Sequence, residues 1–321
     1  MDSAIKKELA ALVSGPVRWE CPLRDYTSFG IGGPAAALII VESLVELQGL
    51  LVFLGENKIQ WRIIGRGTNL LVSDAGFDGV ILILGQGFAA ITRENGALDE
   101  GVVIRVGAAC SLARLVNWCM DQGLSGMEFA AGIPGTIGGA VIMNAGAWGR
   151  ELAEGLVSVT MVTASGQVRT RPRSELDFGY RIWHDHDRAE EQQVVVGAAL
   201  HCKKASQEQI KSLCRSYREQ RQEKQPKGLL DVRSAGSFFK NPPGDAAGRL
   251  IEASGLKGLT VGGAMVSPVH ANFLVNSGGA TAANVLELMK RIQDKVYVDS
   301  GILLVPEVHF LSLLGADVEL C

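Results

Sequence analysis

The apolar positions at the start of the chain repeat with two different periods. Over residues 3–13 they recur every three or four positions, which is typical of one face of a helix. The positions on this face are Ile5, Leu9, Leu12 and Val13. Residues 35–41 are apolar without interruption, which predicts a buried strand. Ser43 and Glu46 then have the spacing of a capping box and predict a helix that ends near Asn57.

Short apolar runs at residues 61–64 and 80–84 predict two further strands. With the elements before them they predict a small αβ unit over residues 1–85, the first of three domains.

A hairpin and a capped helix open the second predicted domain, residues 86–204. The hairpin pairs residues 91–94 with 102–106 around Asn95-Gly96, a dipeptide typical of tight turns. Ser111 is expected to begin a helix and Gly123 to end it. The inward face of this helix is predicted to be Leu112, Leu115, Val116 and Cys119. More strands are predicted at residues 157–163, 167–170 and 194–201.

A long polar helix over residues 206–224, ended by Pro226, marks the predicted start of a third domain at residues 205–321. Ser237 is expected in a loop. Two more helices are predicted, at residues 245–253 and from Thr281 to about Val298. Strands are predicted at residues 260–266, 272–275 and 302–311. Because strands and helices mix without a steady βαβ rhythm, the predicted fold class is α+β.

Composition excludes several classes of function. The chain has 321 residues, and a net charge of -3 gives no basic surface for nucleic acid. No apolar run is long enough to cross a bilayer, so membrane insertion is not expected. Six cysteines are scattered without a Cys-x-x-Cys pair, which fits a reducing compartment, and the cytoplasm is the expected location.

Residues 129–149, FAAGIPGTIGGAVIMNAGAWG, form a ribbon rich in glycine and alanine and without charge. Such a segment exposes its main chain, because glycine permits positive φ and close approach of another group. Successive N–H groups in a run of turns can bind phosphate. The alternative is a set of tight turns beside a buried helix at residues 138–147.

A second glycine-containing loop, GRGTNLLV at residues 65–72, follows a predicted strand. It does not satisfy the Rossmann fingerprint, because residues 70–72 are predicted to be extended and Asp74 comes too early for the ribose. A plain turn between strands is the other interpretation. Two phosphate loops in one chain could hold the two halves of a pyrophosphate, which indicates a dinucleotide such as FAD. Neither loop contains a His or Cys for covalent attachment of a flavin.

Five motifs occur together in the order expected of one family. They are TSFGIGGPA at 27–35, GRGTNLLV at 65–72, GLSGMEFAAGIPGTIGGA at 123–140, MNAGA at 143–147 and AGSFFKNP at 235–242. The chain resembles the UDP-N-acetylenolpyruvoylglucosamine reductase family from about residue 20 to Val308. The short connection after Tyr180 resembles the second, shorter type of that family.

The resemblance implies a fold and a reaction. The fold would be a two-lobed FAD-binding domain of the vanillyl-alcohol oxidase type followed by a C-terminal α+β substrate-binding domain. The reaction would be the NADPH-dependent reduction of UDP-N-acetylglucosamine enolpyruvate to UDP-N-acetylmuramate for the bacterial cell wall, with non-covalent FAD in a monomer. The rival hypotheses are an oxidase of the same flavin fold acting on an alcohol or sugar, and a nucleotide-sugar binder without flavin.

Three residues carry the catalytic roles that the resemblance implies. Arg181 follows Phe178-Gly-Tyr, and its planar guanidinium can pair with a carboxylate and stabilise developing negative charge. After it, Ile182-Trp183 stand where the family has a small residue and a serine. Ser237 would be the proton donor, and Glu307 the third catalytic residue. From the residues alone, Ser237 could equally be a turn hydroxyl, and Glu307 a strand-edge salt bridge.

The remaining predicted site residues bind ligands. In the first loop, cofactor binding is expected from Gly65, Arg66, Gly67, Thr68, Asn69 and Leu70. In the ribbon it is expected from Ala131, Gly132, Pro134, Gly135, Thr136, Gly138, Gly139, Asn144, Ala145 and Gly146. Substrate binding is expected from Tyr180, Arg181, Lys240, Asn241, His270 and Asn272. His184-Asp-His-Asp187 has the residue types of a metal site but is interpreted as a solvated loop, so no metal is predicted.

Overall fold

The computed structural model describes residues 1–94, 101–185, 192–225 and 233–313. Within these ranges the helices are α1 (Ser3–Ala11), α2 (Leu44–Glu56), α3 (Leu112–Asp121), α4 (Ile137–Ile142), α5 (Gln207–Lys224), α6 (Ala247–Ala253) and α7 (Ala282–Ser300). None of these helices is long and apolar enough to cross a membrane.

The strands of the same ranges have two to twelve residues, and many are parts of hairpins. In the first third of the chain they are β1 (Arg18–Pro22), β2 (Pro34–Val41), β3 (Trp61–Ile63), β4 (Leu70–Val72), β5 (Phe77–Leu84), β6 (Ile91–Arg93) and β7 (Val102–Gly107). Those of the middle are β8 (Leu124–Ser125), β9 (Gly146–Ala147), β10 (Arg150–Glu151), β11 (Leu156–Thr163), β12 (Val168–Pro172), β13 (Leu176–Gly179), β14 (Ile182–Asp185) and β15 (Gln193–Lys204). The last five are β16 (Arg233–Ser237), β17 (Thr260–Val261), β18 (Ala264–Val266), β19 (Phe273–Asn276) and β20 (His309–Leu311).

The chain divides into two compact units, and each contains separate stretches of sequence. Unit 1 comprises Met1–Arg18, Leu38–Gly65 and Ile81–Gln220. Unit 2 comprises Trp19–Ala37, Arg66–Val80 and Arg221–Cys321. The chain therefore passes from one unit to the other five times, and three of these crossings lie within strands, in β1, β2 and β5. The predicted division at residues 85 and 204 stays a prediction.

Unit 1 is built on a sheet of order β12-β11-β15-β7-β6, in which neighbouring strands are antiparallel. Helix α3 begins at Ser111, whose hydroxyl accepts from the N–H of Arg114, and Gly123 follows its end with a φ of 64°. The buried face of α3 is Leu112, Leu115, Val116 and Cys119, as predicted. This face belongs to the main apolar core of the unit, with the buried strands Val102–Gly107 and Leu156–Thr163.

Unit 2 contains an antiparallel sheet of order β16-β19-β18-β17 and the parallel pair β20 and β4. Helix α7 begins at Thr281, which forms a capping box with Asn284, and ends at Gly301 with a φ of 73°. Its buried residues, including Val285, Leu288 and Ile292, belong to the core of this unit. The core also contains Phe238 and Phe239, the two aromatic residues after Ser237.

Most predicted elements are confirmed. The capping box of Ser43 and Glu46 is present at the start of α2, and the run at residues 35–41 lies in the buried strand β2. The two strands of the predicted hairpin pair as β6 and β7, whereas Asn95-Gly96 lies outside the described residues. In α1 only Leu9 of the predicted face is fully buried, and Leu12 is exposed.

Three predictions in the last third of the chain are wrong. Residues 260–266 form two strands, β17 and β18, because Gly262-Gly263 turns the chain. Of residues 302–311 only the last three form a regular strand, while Pro306 makes an isolated bridge to Phe239. Ser237 is the last residue of strand β16 and does not lie in a loop.

Candidate active site

The glycine-rich ribbon in unit 1 consists of turns around one short helix. Gly132 and Gly135 have φ values of 83° and 131°, which residues other than glycine rarely adopt. Thr136 caps helix α4, and its hydroxyl accepts from the N–H of Gly139 at 3.5 Å. Ile137 and Val141 of this helix are fully buried. The buried helix that the alternative interpretation placed at residues 138–147 is therefore present in shorter form, with an irregular main chain before it.

Several main-chain donors of this ribbon are free to bind a ligand. The N–H groups of Gly132, Gly135 and Thr136 bond to no acceptor among the residues that the structure describes. Gly132 is exposed, and the other two are partly exposed. A Cβ atom at Gly65 would lie 2.6 Å from the Thr136 hydroxyl oxygen, so a side chain would collide there. Uncharged main-chain donors in a glycine-rich segment are suited to phosphate.

The rest of the first loop belongs to unit 2 and is fixed by close contacts with residues 26–28. Gly67 has a φ of 59°, and a Cβ atom there would lie 2.1 Å from the carbonyl oxygen of Tyr26. The N–H and the hydroxyl of Ser28 both donate to the Gly67 carbonyl, at 3.0 and 3.2 Å. Arg66 is exposed and Thr68 is partly exposed, while Leu70 begins strand β4. The conformation of this loop therefore requires glycine at position 67.

The Asn69 side chain, predicted to bind the cofactor, has a second function in unit 2. Its Nδ2 donates to the carbonyl oxygen of Glu307 at 3.0 Å, and its own carbonyl accepts from the N–H of His309 at 3.1 Å. Asn69 thus fixes the main chain on both sides of Val308. Nothing in the local sequence indicated a contact across about 240 positions.

Asn144 lies in the ribbon with a φ of 39° and is completely buried. Its Nδ2 donates to a carboxylate oxygen of Glu151 at 2.7 Å and to the Gly179 carbonyl at 3.1 Å, and its Oδ1 accepts from the N–H of Ala153 at 3.1 Å. The side chain therefore joins three segments of unit 1. The residue has no exposed surface, and its N–H donates to the Val141 carbonyl, so its contacts hold the ribbon in shape; its cofactor contact stays a prediction. The partner, Glu151, has no motif from which this contact could have been predicted.

Arg181 occupies the two-residue turn of the hairpin formed by β13 and β14, in which Gly179 pairs with Ile182. Its φ of 57° is uncommon for a residue with a side chain, and such strain concentrates at functional sites. Its Nη2 donates to the carbonyl oxygen of Gly146 in the ribbon at 3.0 Å. The guanidinium carbon lies 5.5 Å from the ring centre of Tyr180, which is half exposed. The turn and the ribbon are therefore cross-linked by Arg181 and by Asn144.

The departure from the family pattern after Arg181 has a structural explanation. Trp183 is 4% exposed, belongs to the core of unit 1 and stacks on Phe178, with ring centres 6.0 Å apart. The guanidinium of Arg173 lies 4.9 Å from the centre of the Phe178 ring. Ile182 is exposed. The hairpin is thus held by aromatic packing, where a serine would have given a hydrogen-bonding group.

Ser237 and Glu307 lie on segments of unit 2 that are hydrogen-bonded to each other. The N–H of Glu307 donates to the carbonyl of Phe238 at 2.8 Å, and the N–H of Lys240 donates to the carbonyl of Val305 at 2.8 Å. Both residues are partly exposed. The predicted proton donor and the predicted catalytic carboxylate are therefore neighbours in one unit. Arg181 belongs to unit 1.

The predicted substrate-binding residues of unit 2 differ in what their side chains contact. Asn241 is exposed, and its Oδ1 accepts from the N–H of Ala247 at the start of α6. The Nδ1 of His270 accepts from the N–H of Asn272 at 3.2 Å, and burial lowers the pKa of this imidazole. Asn272 is 3% exposed, and both polar atoms of its side chain bond to Phe239, so a substrate contact by this amide would have to break those bonds.

The His184-Asp-His-Asp187 segment lies only partly within the described residues. His184 and Asp185 belong to strand β14, so the expected loop is wrong for these two, and the other two lie outside the described ranges. Cys21, Cys110, Cys119, Cys202 and Cys214 are buried free thiols.

Comparison with known proteins gives matches to both halves of the chain. Residues 35–171 match the family described as FAD binding domain, and residues 225–311 match the UDP-N-acetylenolpyruvoylglucosamine reductase C-terminal domain. The UDP-N-acetylenolpyruvoylglucosamine reductase of Syntrophus aciditrophicus is 40% identical over 97% of both chains. That of Pelobacter propionicus is 42% identical over 91% of this chain and 94% of its own. The crystal structure of the Thermus caldophilus reductase has a TM-score of 0.75 at 37% identity, covering 92% of this chain and 98% of that chain.

A matched FAD-binding domain, with uncharged main-chain donors in a glycine-rich ribbon, defines a flavin-containing oxidoreductase of α+β fold. Within unit 1, Gly65, where a Cβ atom would collide with Thr136, and the free donors of the ribbon fit the phosphates of FAD. Identity of about 40% across nearly the whole length then settles the family. The chain belongs to the UDP-N-acetylenolpyruvoylglucosamine reductase family.

Proposed function

We propose that this protein reduces UDP-N-acetylglucosamine enolpyruvate to UDP-N-acetylmuramate, with NADPH as reductant and FAD as the non-covalent cofactor. Membership of the reductase family carries the proposal, and the pairing of the Ser237 segment with the Glu307 segment supports the assignment of both residues. The reaction adds a hydride to the β carbon of the enolpyruvyl group and a proton to its α carbon.

The main chain of the glycine-rich loops would hold the cofactor. Donors at Gly132, Gly135 and Thr136 suit the pyrophosphate, and the absence of a side chain at Gly65 lets this residue lie against Thr136 of the ribbon. When bound, FAD takes hydride from NADPH and supplies it to the substrate.

Arg181 would stabilise the negative charge that develops on the substrate carboxylate. A guanidinium stays charged at any working pH and offers paired donors to a carboxylate. In unit 1 one of its donors is fixed by the Gly146 carbonyl, which limits the positions that the guanidinium can take. A cation that is held in place before the charge appears lowers the barrier more than one that must reorient.

Ser237 would donate the proton to the α carbon, and the Glu307 carboxyl would donate a hydrogen bond to the oxyanion that develops on the substrate. A hydroxyl is a weak acid, so its position beside the carbanion must compensate for its high pKa. The hydrogen bond from the Glu307 N–H to the Phe238 carbonyl fixes the spacing of the two main-chain segments. Lys240, Asn241, His270 and Tyr180 would contact the nucleotide sugar. The protein would act as a monomer in the cytoplasm.

The purified protein should be yellow, lose its colour on anaerobic addition of NADPH, and regain it when UDP-N-acetylglucosamine enolpyruvate is added. Rapid return of the colour with oxygen alone would favour an oxidase. A colourless protein that binds phosphate would favour a nucleotide-sugar binder without flavin.

Ser237→Ala separates the two half-reactions. NADPH should bleach the variant at the normal rate, whereas recolouring by the enolpyruvyl substrate should slow about 10³-fold, which corresponds to about 4 kcal/mol in the activation free energy. Equal slowing of both half-reactions would show that Ser237 is not the proton donor. Stopped-flow absorbance of the flavin measures both rates in one instrument.

A further inference from the structure

Asn272 makes three hydrogen bonds to the two residues that follow Ser237. The N–H of Phe239 donates to its Oδ1 at 2.9 Å, its Nδ2 donates to the Phe239 carbonyl at 2.8 Å, and its own carbonyl accepts from the N–H of Phe238 at 2.7 Å. The side-chain amide of Asn272 thus bonds to both the N–H and the carbonyl of Phe239. We call this pair of bonds the amide clamp.

The clamp lies where the regular sheet pairing of Ser237 ends. Strands β16 and β19 pair Ser234 with Val275 and Ser237 with Phe273, so two residues of β16 lie opposite one of β19. This is a β-bulge, and Gly236 within it has a φ of 81°. Strand β16 ends at Ser237, and the amide of Asn272 takes the place of the next pair of sheet hydrogen bonds. Ser237 is therefore held between a bulge and the clamp.

A serine hydroxyl depends on its main chain more than a longer catalytic group does. A single rotatable bond with three staggered positions connects Oγ to the main chain, so main-chain position and rotamer together define where Oγ lies. A shift of about 1 Å at a reacting group can cost about 100-fold in rate. Whatever fixes the main chain after Ser237 therefore acts on the proton transfer.

The segment Phe238–Phe239 is also held by contacts that do not involve the Asn272 side chain. Phe239 forms a bridge with Pro306, and the Glu307 N–H donates to the Phe238 carbonyl. Phe238 and Phe239 are buried in the core of unit 2, with ring centres 5.2 Å apart. These contacts do not involve the Asn272 amide, so we expect the unit to fold when the clamp is removed.

We propose that Asn272 is a positioning residue for Ser237, whose amide clamp on Phe239 directs the hydroxyl toward the substrate. The inference depends on the proposed function, in which Ser237 supplies the proton. In this proposal the Asn272 side chain positions Ser237 and does not contact the nucleotide sugar.

Asn276, the last residue of strand β19, provides a matched control for Asn272, which directly precedes that strand. Its Oδ1 accepts from the N–H groups of Gly278 and Ala280, and its Nδ2 donates to the Phe29 carbonyl, so its amide also bonds only to main chain. It lies opposite Arg233, at the other end of the strand pair from Ser237. Asn272→Asp and Asn276→Asp each keep the side-chain volume and one acceptor while removing the Nδ2 donor.

The test measures both half-reactions in Asn272→Ala, Asn272→Asp and Asn276→Asp, with NADPH and then UDP-N-acetylglucosamine enolpyruvate. Both Asn272 variants should bleach with NADPH within about 2-fold of the wild-type rate and recolour about 10- to 100-fold more slowly. Asn276→Asp should recolour at the wild-type rate, even if its melting temperature falls as far as that of the Asn272 variants. If Asn272→Ala does not fold, Asn272→Asp carries the test.

A double-mutant cycle with Ser237→Ala decides whether the effect acts through the hydroxyl. In the Ser237→Ala background the Asn272 change should slow recolouring by less than about 3-fold, because the positioned group is already gone. A full 10- to 100-fold further loss, or equal slowing of both half-reactions, would overturn the inference. If Ser237→Ala recoloured at the wild-type rate, the proposed role of Ser237 as proton donor would be overturned. The test therefore distinguishes a failure of that role from a failure of the positioning role of Asn272.

Discussion

Arg181 in unit 1 and Ser237 in unit 2 are held by different means. The Arg181 side chain leaves a strained turn and is fixed near its end, where the guanidinium donates to Gly146. The Ser237 side chain is short, and its main chain is fixed by a bulge and by Asn272. A long catalytic side chain can be positioned at its tip, whereas a short one must be positioned through its backbone.

Both regions nevertheless use a buried asparagine. Asn144 bonds to the carbonyl before the Arg181 turn, and Asn272 bonds to the residue two positions after Ser237. An amide side chain offers a donor and an acceptor at a fixed spacing and without charge, so it can replace main-chain pairing where regular structure stops. The comparison leads to four predictions, which follow in order of decreasing effect.

Removal of the guanidinium tests the Arg181 side of the comparison most severely. Arg181→Ala should slow recolouring by the enolpyruvyl substrate about 10³-fold, about 4 kcal/mol, because a fixed cation is lost. Arg181→Lys should recover only a small part, since an ammonium is a point charge without a planar pair of donors. Stopped-flow recolouring at saturating substrate measures this. Full activity in the lysine variant would mean that charge alone is required.

Asn144→Leu tests whether the turn of Arg181 depends on the amide beneath it. The change leaves the Gly179 carbonyl, the Ala153 N–H and the Glu151 carboxylate without this partner, and the free energy of unfolding should fall by about 3 kcal/mol. Asn57→Leu is the control, because Asn57 is an exposed residue of unit 1 whose amide bonds to one carbonyl. Urea unfolding should show less than about 1 kcal/mol for it. Equal losses in the two variants would contradict the cross-link.

Gly236→Ala tests the bulge before Ser237. The added methyl group has no atom within 4 Å, so the only cost is the φ of 81°, about 1 to 2 kcal/mol of stability. Gly49→Ala, in the middle of helix α2 with equal space around it, should instead stabilise the protein by about 0.5 to 1 kcal/mol. Opposite signs in urea unfolding support the analysis of the bulge. The same sign in both would contradict it.

The smallest effect concerns how the stability of the protein depends on pH through His270 of unit 2. Burial is the largest cause that lowers the pKa of His270, Lys257 lowers it further, and Glu252 opposes the shift. The unfolded chain therefore binds this proton more tightly, and stability should rise with pH from below the lowered folded pKa up to about 6.5. His270→Asn keeps an acceptor near Nδ1 and should flatten this part of a plot of melting temperature against pH. An unchanged slope would assign the dependence to another group.

The sequence predicted elements best where caps and periodicity agree. Ser43 with Glu46, Ser111 and Thr281 each begin a helix in the structure, because a side-chain oxygen at these positions satisfies a free N–H group. Helix α5 was likewise predicted within a residue of its bounds. These signals are local, so a single sequence is enough to find them.

The wrong predictions arose where the decisive contact is distant. Residues 302–305 contain apolar residues that suggest a strand, yet the backbone there pairs only in part with the segment after Ser237. The Gly262-Gly263 turn was hidden in an apolar run, although paired glycines are a turn signal. Ser237 was expected in a loop, whereas the structure places it at the end of strand β16, after a bulge that contains Gly236.

Candidate residues were found by motif, but their functions in the structure were not. The motifs identified Asn69, Asn144 and Asn272 as ligand-binding positions. In the structure the amides of Asn69 and Asn272 bond to main chain, and that of Asn144 bonds to main chain and to the Glu151 carboxylate. The main-chain bonds of Asn69 and Asn144 reach 238 and 35 positions along the sequence. Residue type alone does not show whether an amide is available to a ligand or already bonded within the protein.

The pairing of β4 with β20 has a consequence for how the protein can be produced and cut. His309–Leu311 lies parallel to Leu70–Val72, and residues from three separate stretches build unit 2. During synthesis, strand β4 must wait for more than two hundred further residues to leave the ribosome before its partner exists. A fragment restricted to the matched C-terminal domain would lack this strand and expose an unpaired edge, so it should aggregate unless residues 19–37 and 66–80 are supplied.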